Sequence, residues 1–282
     1  MPPPVSGATR FARVRARLEA FDPHPGWHAW LYEFLLFGFK QGWACLFGAL
    51  LLVLLLGTHY LYPADARLAR YDFLVIGAVL IQAGMLVFRL ESFSEAKVIL
   101  AFHVVGTVME LFKTAHGSWL YPEPSLLRIG GVPLFSGFMY AAVGSYIARV
   151  WRIFDFRFPF YPRRWITWTL GIAIYVNFFA HHWLPDMRLA LFAVIALLFR
   201  RTRVYFTVWR TERWMPLLLG WFLVALFIWF AENIGTFSHA WMYPGQEDGW
   251  EPVSPAKLGA WYLLMIISFV LVEAVHGRRK QR

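Results

Sequence analysis

Eight long apolar stretches constrain the fold of this chain more than any other feature of its sequence. They lie at about residues 42–62, 72–90, 98–116, 134–151, 166–183, 185–200, 215–238 and 257–276. Most are long enough, at about 1.5 Å per residue, for a helix to cross about 30 Å of hydrocarbon. Membrane strands are excluded because a strand crosses the bilayer in about ten residues. The sequence therefore predicts an all-α, polytopic membrane helix bundle of about eight transmembrane helices.

The composition and the flanking segments support one membrane domain. Of the 282 residues, 59% are hydrophobic and only 16% are charged, whereas soluble domains carry about 25% charged residues. We predict a single helical domain at 27–276, between a polar basic tail at 1–26 and a basic cytoplasmic tail at 277–282. Within that domain, the aromatic segment 27–39 is predicted to be an N-terminal interfacial helix that leads into the first span.

The positive charges predict the orientation of the bundle. With eight spans, 21 of the 27 Lys and Arg residues fall on the side that holds both termini. By the positive-inside rule that side is cytoplasmic. Because the basic residues flank the apolar stretches, the net charge of +10 indicates contact with membrane lipids rather than with nucleic acid. The opposite side carries the remaining six residues, namely Arg67, Arg70, Lys113, Arg128, Arg188 and Lys257.

An internal repeat joins two segments that lie 122 residues apart. Residues 110–122 and 232–244 share a Glu, a Thr four residues later, and a Trp-x-Tyr-Pro ending, without a gap. The separation contains an even number of predicted spans, so both copies would end helices that run in the same direction. We therefore predict a parallel repeat about an axis along the membrane normal.

The two repeat glutamates, Glu110 and Glu232, are the strongest candidates for function. Each lies nine residues before its Trp, about 13 Å deeper in the membrane at the helical rise. A charged group at that depth is costly and usually faces the bundle interior. Two structural alternatives stay open: Glu110 could pair locally with Lys113, and Trp and Tyr concentrate at the interfaces of any membrane protein. Glu232 has Gly235 at the corresponding position, so it must find its partner on another helix or carry a proton.

The repeat segments also carry a resemblance to known families. The runs 110–140 and 231–246 resemble a bacterial membrane family called domain of unknown function 817, over nearly the whole chain apart from the N-terminal tail. That resemblance implies about eight spans in a bacterial cytoplasmic membrane and no established activity.

A shorter run is similar to the membrane-embedded lycopene cyclases and carotenoid hydratases. Those cyclases have an acidic pair after Pro-Leu, where this chain has Phe135 and Ser136, and this difference puts cyclization in doubt. The residues that carry the similarity are Glu110, Gly117, Trp119, Tyr121, Gly130, Gly131, Pro133 and Leu134.

From these residues we expect an acid–base enzyme acting on an isoprenoid or carotenoid-like lipid, of the hydratase, isomerase or cyclase type. Glu110 and Glu232 are the predicted catalytic acid and base. A proton-coupled transporter of a small molecule or lipid is the alternative. The predicted substrate-binding residues are His103, Thr114, His116, Trp119, Tyr121, His181, Trp229, Asn233, Thr236, His239, Trp241 and Tyr243.

We predict no cofactor and no metal site for this chain. A metal stays a minor alternative, because several histidines could approach one another, but the spacings typical of membrane di-iron oxidases do not occur. The histidines that could approach one another are His103, His116, His181, His182 and His239.

The expected partners are membrane lipids and a lipophilic small molecule.

Overall fold

A computed structural model describes residues 10–276, and these residues form ten helices and two short hairpins. The predicted tail at 277–282 and the first nine residues of the tail at 1–26 lie outside the described residues. The predominantly helical fold that the sequence predicted is confirmed. The helices are α1 (Arg10–Ala20), α2 (Trp27–Ala44), α3 (Leu46–Leu61), α4 (Arg70–Val87), α5 (Phe93–Ala115), α6 (Phe135–Ile153), α7 (Arg164–Ala180), α8 (Arg188–Phe199), α9 (Leu217–Phe237) and α10 (Pro255–His276).

Two antiparallel hairpins interrupt the helical pattern. A minimal one joins α5 to α6, and a longer one lies between α8 and α9, within the Arg-rich segment that the charge distribution predicts to be cytoplasmic. The chain is therefore not purely α-helical. The strands are β1 (Arg128–Ile129), β2 (Val132–Pro133), β3 (Arg203–Thr207) and β4 (Glu212–Pro216).

Fewer helices than predicted are long and apolar enough to cross a membrane. Within residues 10–276, α4, α5, α9 and α10 qualify, and α2 with α3 makes a fifth candidate if this pair, bent by 67°, is one span. The predicted eight exceed this number because the sequence does not show where each helix ends, and the sequence count included loop residues. The stretch 166–183 belongs to a helix of 17 residues, and 185–200 belongs to one of 12. Two arginines and several small residues lower the hydropathy of α6.

Glycine residues bring α5 and α6 into close contact. A Cβ atom at Gly106 would lie 2.6 Å from Cβ of Tyr140, and one at Gly144 would lie 2.6 Å from the ring of Phe102. Real Cβ atoms do not approach so closely, so the two helix axes can be this near only where side chains are missing. The close packing fixes Tyr140 of α6 against α5, one helical turn from Glu110.

A buried ion network ties α6 to the segment that joins α4 and α5. Arg149 is fully buried, its Nη2 atom lies 3.0 Å from Oε1 of Glu91, and its Nη1 atom donates to the carbonyl of Trp43 at 3.2 Å. Arg152, which is 43% exposed, pairs with the buried Glu95 at 2.8 Å. Charges this deep must be paired, so the network fixes where α6 meets the start of α5.

Candidate functional site

Glu110 is a buried carboxyl group that accepts three hydrogen bonds from aromatic side chains. The Nε1 atom of Trp119 and the hydroxyl of Tyr121 each donate to Oε2 at 2.6 Å, and the hydroxyl of Tyr140 donates to Oε1 at 2.7 Å. The side chain is only 4% exposed. These donors give a carboxyl group in apolar surroundings the partners that burial demands.

Glu232 has a similar but not identical environment. The hydroxyl of Tyr243 donates to Oε1 and the Nε1 atom of Trp261 donates to Oε2. The residue is 4% exposed, as Glu110 is. Tyr121 and Tyr243 occupy equivalent positions of the sequence repeat, so each repeat glutamate is held by the tyrosine that follows it by eleven residues.

The turns that end α5 and α9 explain how these side chains return to the glutamates. Gly117 (φ 66°) and His239 (φ 53°) both adopt the left-handed conformation that ends a helix. The chain then reverses, so that the Trp-x-Tyr segment runs back along the helix it has just left. Equivalent hydrogen bonds close the two turns, from Ser118 N to Lys113 O and from Ala240 N to Gly235 O, each 3.0 Å.

The two repeat segments meet at the site. Leu120 and Met242, which are equivalent residues of the repeat, form an antiparallel bridge in which each amide donates to the other's carbonyl at 2.9 Å. This reciprocal pair brings the donors of the two acids into contact. The ring centroids of Trp119 and Tyr243 lie 6.1 Å apart, and those of Tyr140 and Trp261 also lie 6.1 Å apart. The two carboxyl groups thus belong to one site, because their aromatic donors are in contact with one another.

A cavity of about 950 Å³ contains both glutamates. Its wall is mainly aliphatic and aromatic, and it extends from the polar end at Lys113 and Lys257 towards Gln41 and Cys45 at the α2–α3 bend. This volume is typical of sites that enclose a small organic ligand. The cavity is therefore large enough, and its wall apolar enough, to hold an apolar molecule beside the two carboxyl groups.

The structure brings some of the predicted site residues together and leaves others elsewhere. Those that line the cavity are Glu110, Trp119, Tyr121, His181, Glu232, Trp241 and Tyr243. Those outside the lining are His103, Thr114, His116, Trp229, Asn233, Thr236 and His239.

Several residues of this outer group have contacts of their own within the fold. Asn233 accepts from the amide of Val253 at 2.9 Å and donates to the carbonyl of Trp229 at 2.8 Å. Thr236 accepts from Trp250 at 3.0 Å, and His103 packs on the ring of Phe138, with centroids 4.4 Å apart. These residues hold loops and helices around the site.

Three residues at the site were not among the predicted ones. Tyr140 and Trp261 donate to the two acids, and Lys257 lies over the ring of Tyr243, with Nζ 3.9 Å from the centroid. A signal for two of them exists in the sequence. Tyr140 follows Glu110 by 30 residues and Trp261 follows Glu232 by 29, so both sit at nearly equivalent places on the helix after each repeat segment.

Lys113 does not form the local ion pair that the sequence left open. Its Nζ atom lies 3.1 Å from Nε2 of His182 and 3.5 Å from Nε2 of His181. Among residues 10–276 no ion pair joins it to Glu110. Glu110 is held by aromatic donors instead, so the local-pair alternative is wrong.

The two loop tyrosines act as hydrogen-bond donors at neutral pH. Burial raises the pKa of Tyr121 and of Tyr243 well above the ordinary value, and the neighbouring glutamates raise it further. Both phenols therefore keep their protons and serve the carboxyl groups as neutral partners.

The part of the chain that the structure describes contains no group of three or more His, Cys, Asp or Glu side chains arranged to hold a metal ion. His116 stacks on Phe112, with ring centroids 4.1 Å apart, and its Nδ1 atom lies 2.8 Å from the carbonyl of that residue. The histidines near the cavity are therefore placed for hydrogen bonds and ring contacts.

Comparison with known proteins adds a family and one relative. A family model described as "Protein of unknown function (DUF817)" matches residues 33–269. The uncharacterized protein YoaT of Bacillus subtilis (strain 168) is 42% identical over 245 residues, which are 87% of this chain and 92% of that protein. Among solved structures, a cross-linked MvINS trimer is similar at a TM-score of 0.45 and 16% identity, over 68% of this chain and 98% of that one.

Proposed function

The chain belongs to the DUF817 family, and we propose that it is an acid–base enzyme that acts on an isoprenoid or carotenoid-like lipid. The family description names no activity, so the proposal is argued from the site. One observation carries this proposal. Two buried carboxyl groups, each held by Tyr and Trp donors, line a single large and mainly apolar cavity.

The site has the parts that proton-initiated chemistry on a double bond requires. Two carboxyl groups in one low-dielectric cavity do not both ionise readily, so one holds a proton while the other is a carboxylate. The protonated group gives its proton to one alkene carbon, which leaves a carbocation on the other carbon. The rings of Trp119, Trp261 and Tyr243 face this space and stabilise the positive charge.

The second carboxylate completes the reaction by taking a proton from a carbon next to the cation. One proton enters the lipid and one leaves it, so the double bond moves and the reaction is an isomerisation that needs no co-reactant. Attack by a second alkene of the same chain before the proton leaves gives a ring. Attack by water, which loses one proton to the same carboxylate, gives a hydrated product. The same residues therefore support the isomerase, cyclase and hydratase types.

A transporter is the second candidate, and the bend between α2 and α3 favours it. Helices α2 and α3 together pass for one span but are bent by 67° at Cys45, and broken spans next to a binding cavity are typical of secondary transporters. In that case Glu110 and Glu232 would carry protons that drive the movement of the ligand instead of transferring them to it.

Lipid analysis of a deletion strain distinguishes the two functions. We expect loss of the gene to change the isoprenoid or carotenoid profile of extracted membranes, with a substrate that accumulates and a product that disappears. Restoring the gene should restore the profile. An unchanged profile together with altered uptake or release of a solute would contradict the enzyme and support the transporter.

The proposed setting is a bacterial cytoplasmic membrane that the chain crosses several times, with both termini in the cytoplasm and α2 at the interface before the first span. The four or five candidate spans support multi-pass insertion, and the 21-to-6 division of Lys and Arg supports the orientation. The equivalent turns after α5 and α9, together with the reciprocal Leu120–Met242 bridge, support a parallel repeat.

The orientation can be tested on the two sides of α9. We expect reporter fusions at residue 208 to report the cytoplasm and fusions at residue 250 to report the opposite side, because α9 is long and apolar enough to separate them. A fusion at residue 276 should agree with the one at 208. The proposed orientation is wrong if the fusions at 208 and 250 report the same compartment.

A further inference from the structure

Cations gather at the polar end of the cavity. Lys113 at the end of α5, Lys257 at the start of α10 and Arg188 at the start of α8 all belong to its lining. They are three of the six Lys and Arg residues that the charge distribution assigns to the non-cytoplasmic side. Basic residues are scarce on that side, yet half of them line one cavity. This clustering calls for a physical explanation.

Lys113 is buried without a carboxylate beside it. It is 4% exposed, and among residues 10–276 no Asp or Glu oxygen lies within 4 Å of its Nζ atom. Its neighbours are His181, His182 and the ring of Phe178, whose centroid is 4.2 Å away. A buried ammonium group with no carboxylate in contact is costly, so an anion that binds against Nζ is stabilised by direct attraction to it.

The two histidines beside Lys113 position its ammonium group through their ring nitrogens. The Nδ1 atom of His181 lies 3.0 Å from the carbonyl of Asn177, so Nδ1 donates to that oxygen and Nε2 of the neutral ring accepts from Lys113. An imidazole that accepts from the ammonium group solvates it without neutralising it. The two rings therefore hold the Lys113 amine in place at this end of the cavity.

Lys257 links this cluster to the two acids. Its Nζ atom lies 3.9 Å from the ring centroid of Tyr243 and 5.4 Å from that of Trp119, and these rings belong to donors of Glu232 and Glu110. Glu232 attracts Lys257 without an ion pair within 4 Å among the described residues. Arg188 is partly neutralised by Asp186, 2.5 Å away. Among the described residues, Lys113 and Lys257 are therefore the two cations of this cluster that no carboxylate contacts, and Lys257 lies against aromatic donors of both glutamates.

We propose that Lys113, Lys257 and Arg188 bind the anionic headgroup, a phosphate or a carboxylate, of the lipid whose chain fills the cavity. The inference rests on the proposed function for the isoprenoid nature of that chain. It places the first double bonds after the headgroup beside Glu110 and Glu232, and it narrows the ligand from any lipophilic molecule to an anionic amphiphile.

Two ligands that differ only in the headgroup test this proposal on the full-length protein in a non-ionic detergent. The probes are geranylgeranyl monophosphate and geranylgeraniol, measured by scintillation proximity, with inorganic phosphate as a competitor. We expect the phosphate ester to bind at least about tenfold more tightly than the alcohol, since charge-assisted hydrogen bonds to cations are strong and Lys113 is buried. Inorganic phosphate should compete only at far higher concentrations because it lacks the chain.

Amide variants locate the headgroup site. Lys113→Gln, Lys257→Gln and Arg188→Gln should each weaken binding of the phosphate ester by about tenfold while binding of the alcohol changes little. Arg67→Gln and Arg128→Gln are matched controls, because these exposed residues lie on the same predicted side and outside the cavity lining, and both should bind like the unaltered protein. Thermal unfolding of every variant checks that the fold is kept. If a lysine variant does not fold, binding of the two probes to the Arg188→Gln variant tests the headgroup site.

Three results would overturn the proposal: equal affinity for the ester and the alcohol, unchanged ester binding in the folded cavity variants, or inorganic phosphate that competes as well as the ester. The last result would indicate a site for a free anion. Because the assay measures no turnover, its outcome is separate from that of the lipid profile. If the protein prefers the ester but the lipid profile of the deletion strain is unchanged, the headgroup site is supported and the proposed enzymatic activity is contradicted.

Discussion

Replacing either cavity glutamate with glutamine should abolish the activity of this protein without unfolding it. We expect Glu110→Gln and Glu232→Gln each to reduce turnover by at least about 100-fold, the usual contribution of a general acid or base. Glutamine has the shape of glutamic acid but neither an exchangeable carboxyl proton nor a carboxylate. The measurement is complementation of the lipid profile in a deletion strain, with the amount of each variant in the membrane determined on the same samples.

The fold should survive both substitutions because the amide oxygen can still accept from the Trp donor of each site, while the amide NH2 donates to the tyrosine hydroxyl on the other side, Tyr140 or Tyr243. Tyr121 and Trp119 donate to one oxygen of Glu110, and the amide oxygen can take that position. Glu273→Gln is the matched control, since this buried glutamate lies in α10, pairs with Arg164 at 3.6 Å and does not line the cavity. It should keep full activity. Full activity in both cavity variants would reduce Glu110 and Glu232 to helix–helix contacts and remove the acid–base mechanism.

The largest expected loss of stability follows from removing Arg149. Arg149→Met deletes a fully buried cation and leaves Glu91 and Glu95 without it, and an uncompensated buried charge costs about 3 kcal/mol or more. Arg152→Met is the control, because Arg152 pairs with the same Glu95 but is 43% exposed. A pair with one exposed partner contributes less than about 1 kcal/mol. Chemical unfolding in detergent measures both changes in the free energy of unfolding.

The loss in Arg149→Met should depend on pH in a defined direction. Burial raises the pKa of Glu91, and in the unaltered protein Arg149 opposes that effect. Without the arginine the pKa in the folded state rises further above that of the unfolded chain, so the folded state resists ionisation of Glu91. Stability is then fully present at low pH and is lost as the pH rises through the folded-state pKa.

The deficit should therefore be larger at about pH 8 than at about pH 5. Adding Glu91→Gln to Arg149→Met should recover part of it, because the amide leaves no charge to bury. A deficit that is the same at both pH values and in the double variant would show that packing, not charge, makes Arg149 important.

The sequence alone predicted the class of fold and singled out the two glutamates as candidates. Apolar runs of helical length and the spacing of Lys and Arg are local properties, and they predicted a helical bundle with candidate membrane spans. The repeat at 110–122 and 232–244 pointed to Glu110 and Glu232 and to the tyrosines that hold them, because each tyrosine follows its glutamate by a short turn. Each of these features can be read from short segments of the sequence without knowing how those segments pack.

The number of long spans and the rest of the site were decided by tertiary structure. Hydropathy does not show where a helix ends, so loop residues at 181–183 and 185–187 were counted with α7 and α8. Tyr140 and Trp261 reach the glutamates from the next helix only because of how closely that helix packs, which at Tyr140 depends on Gly106. Lys113, Lys257 and Arg188 come from three helices and meet only when the bundle closes. Their sequence positions give no distance between them, since that distance is set by the packing of side chains across the whole fold.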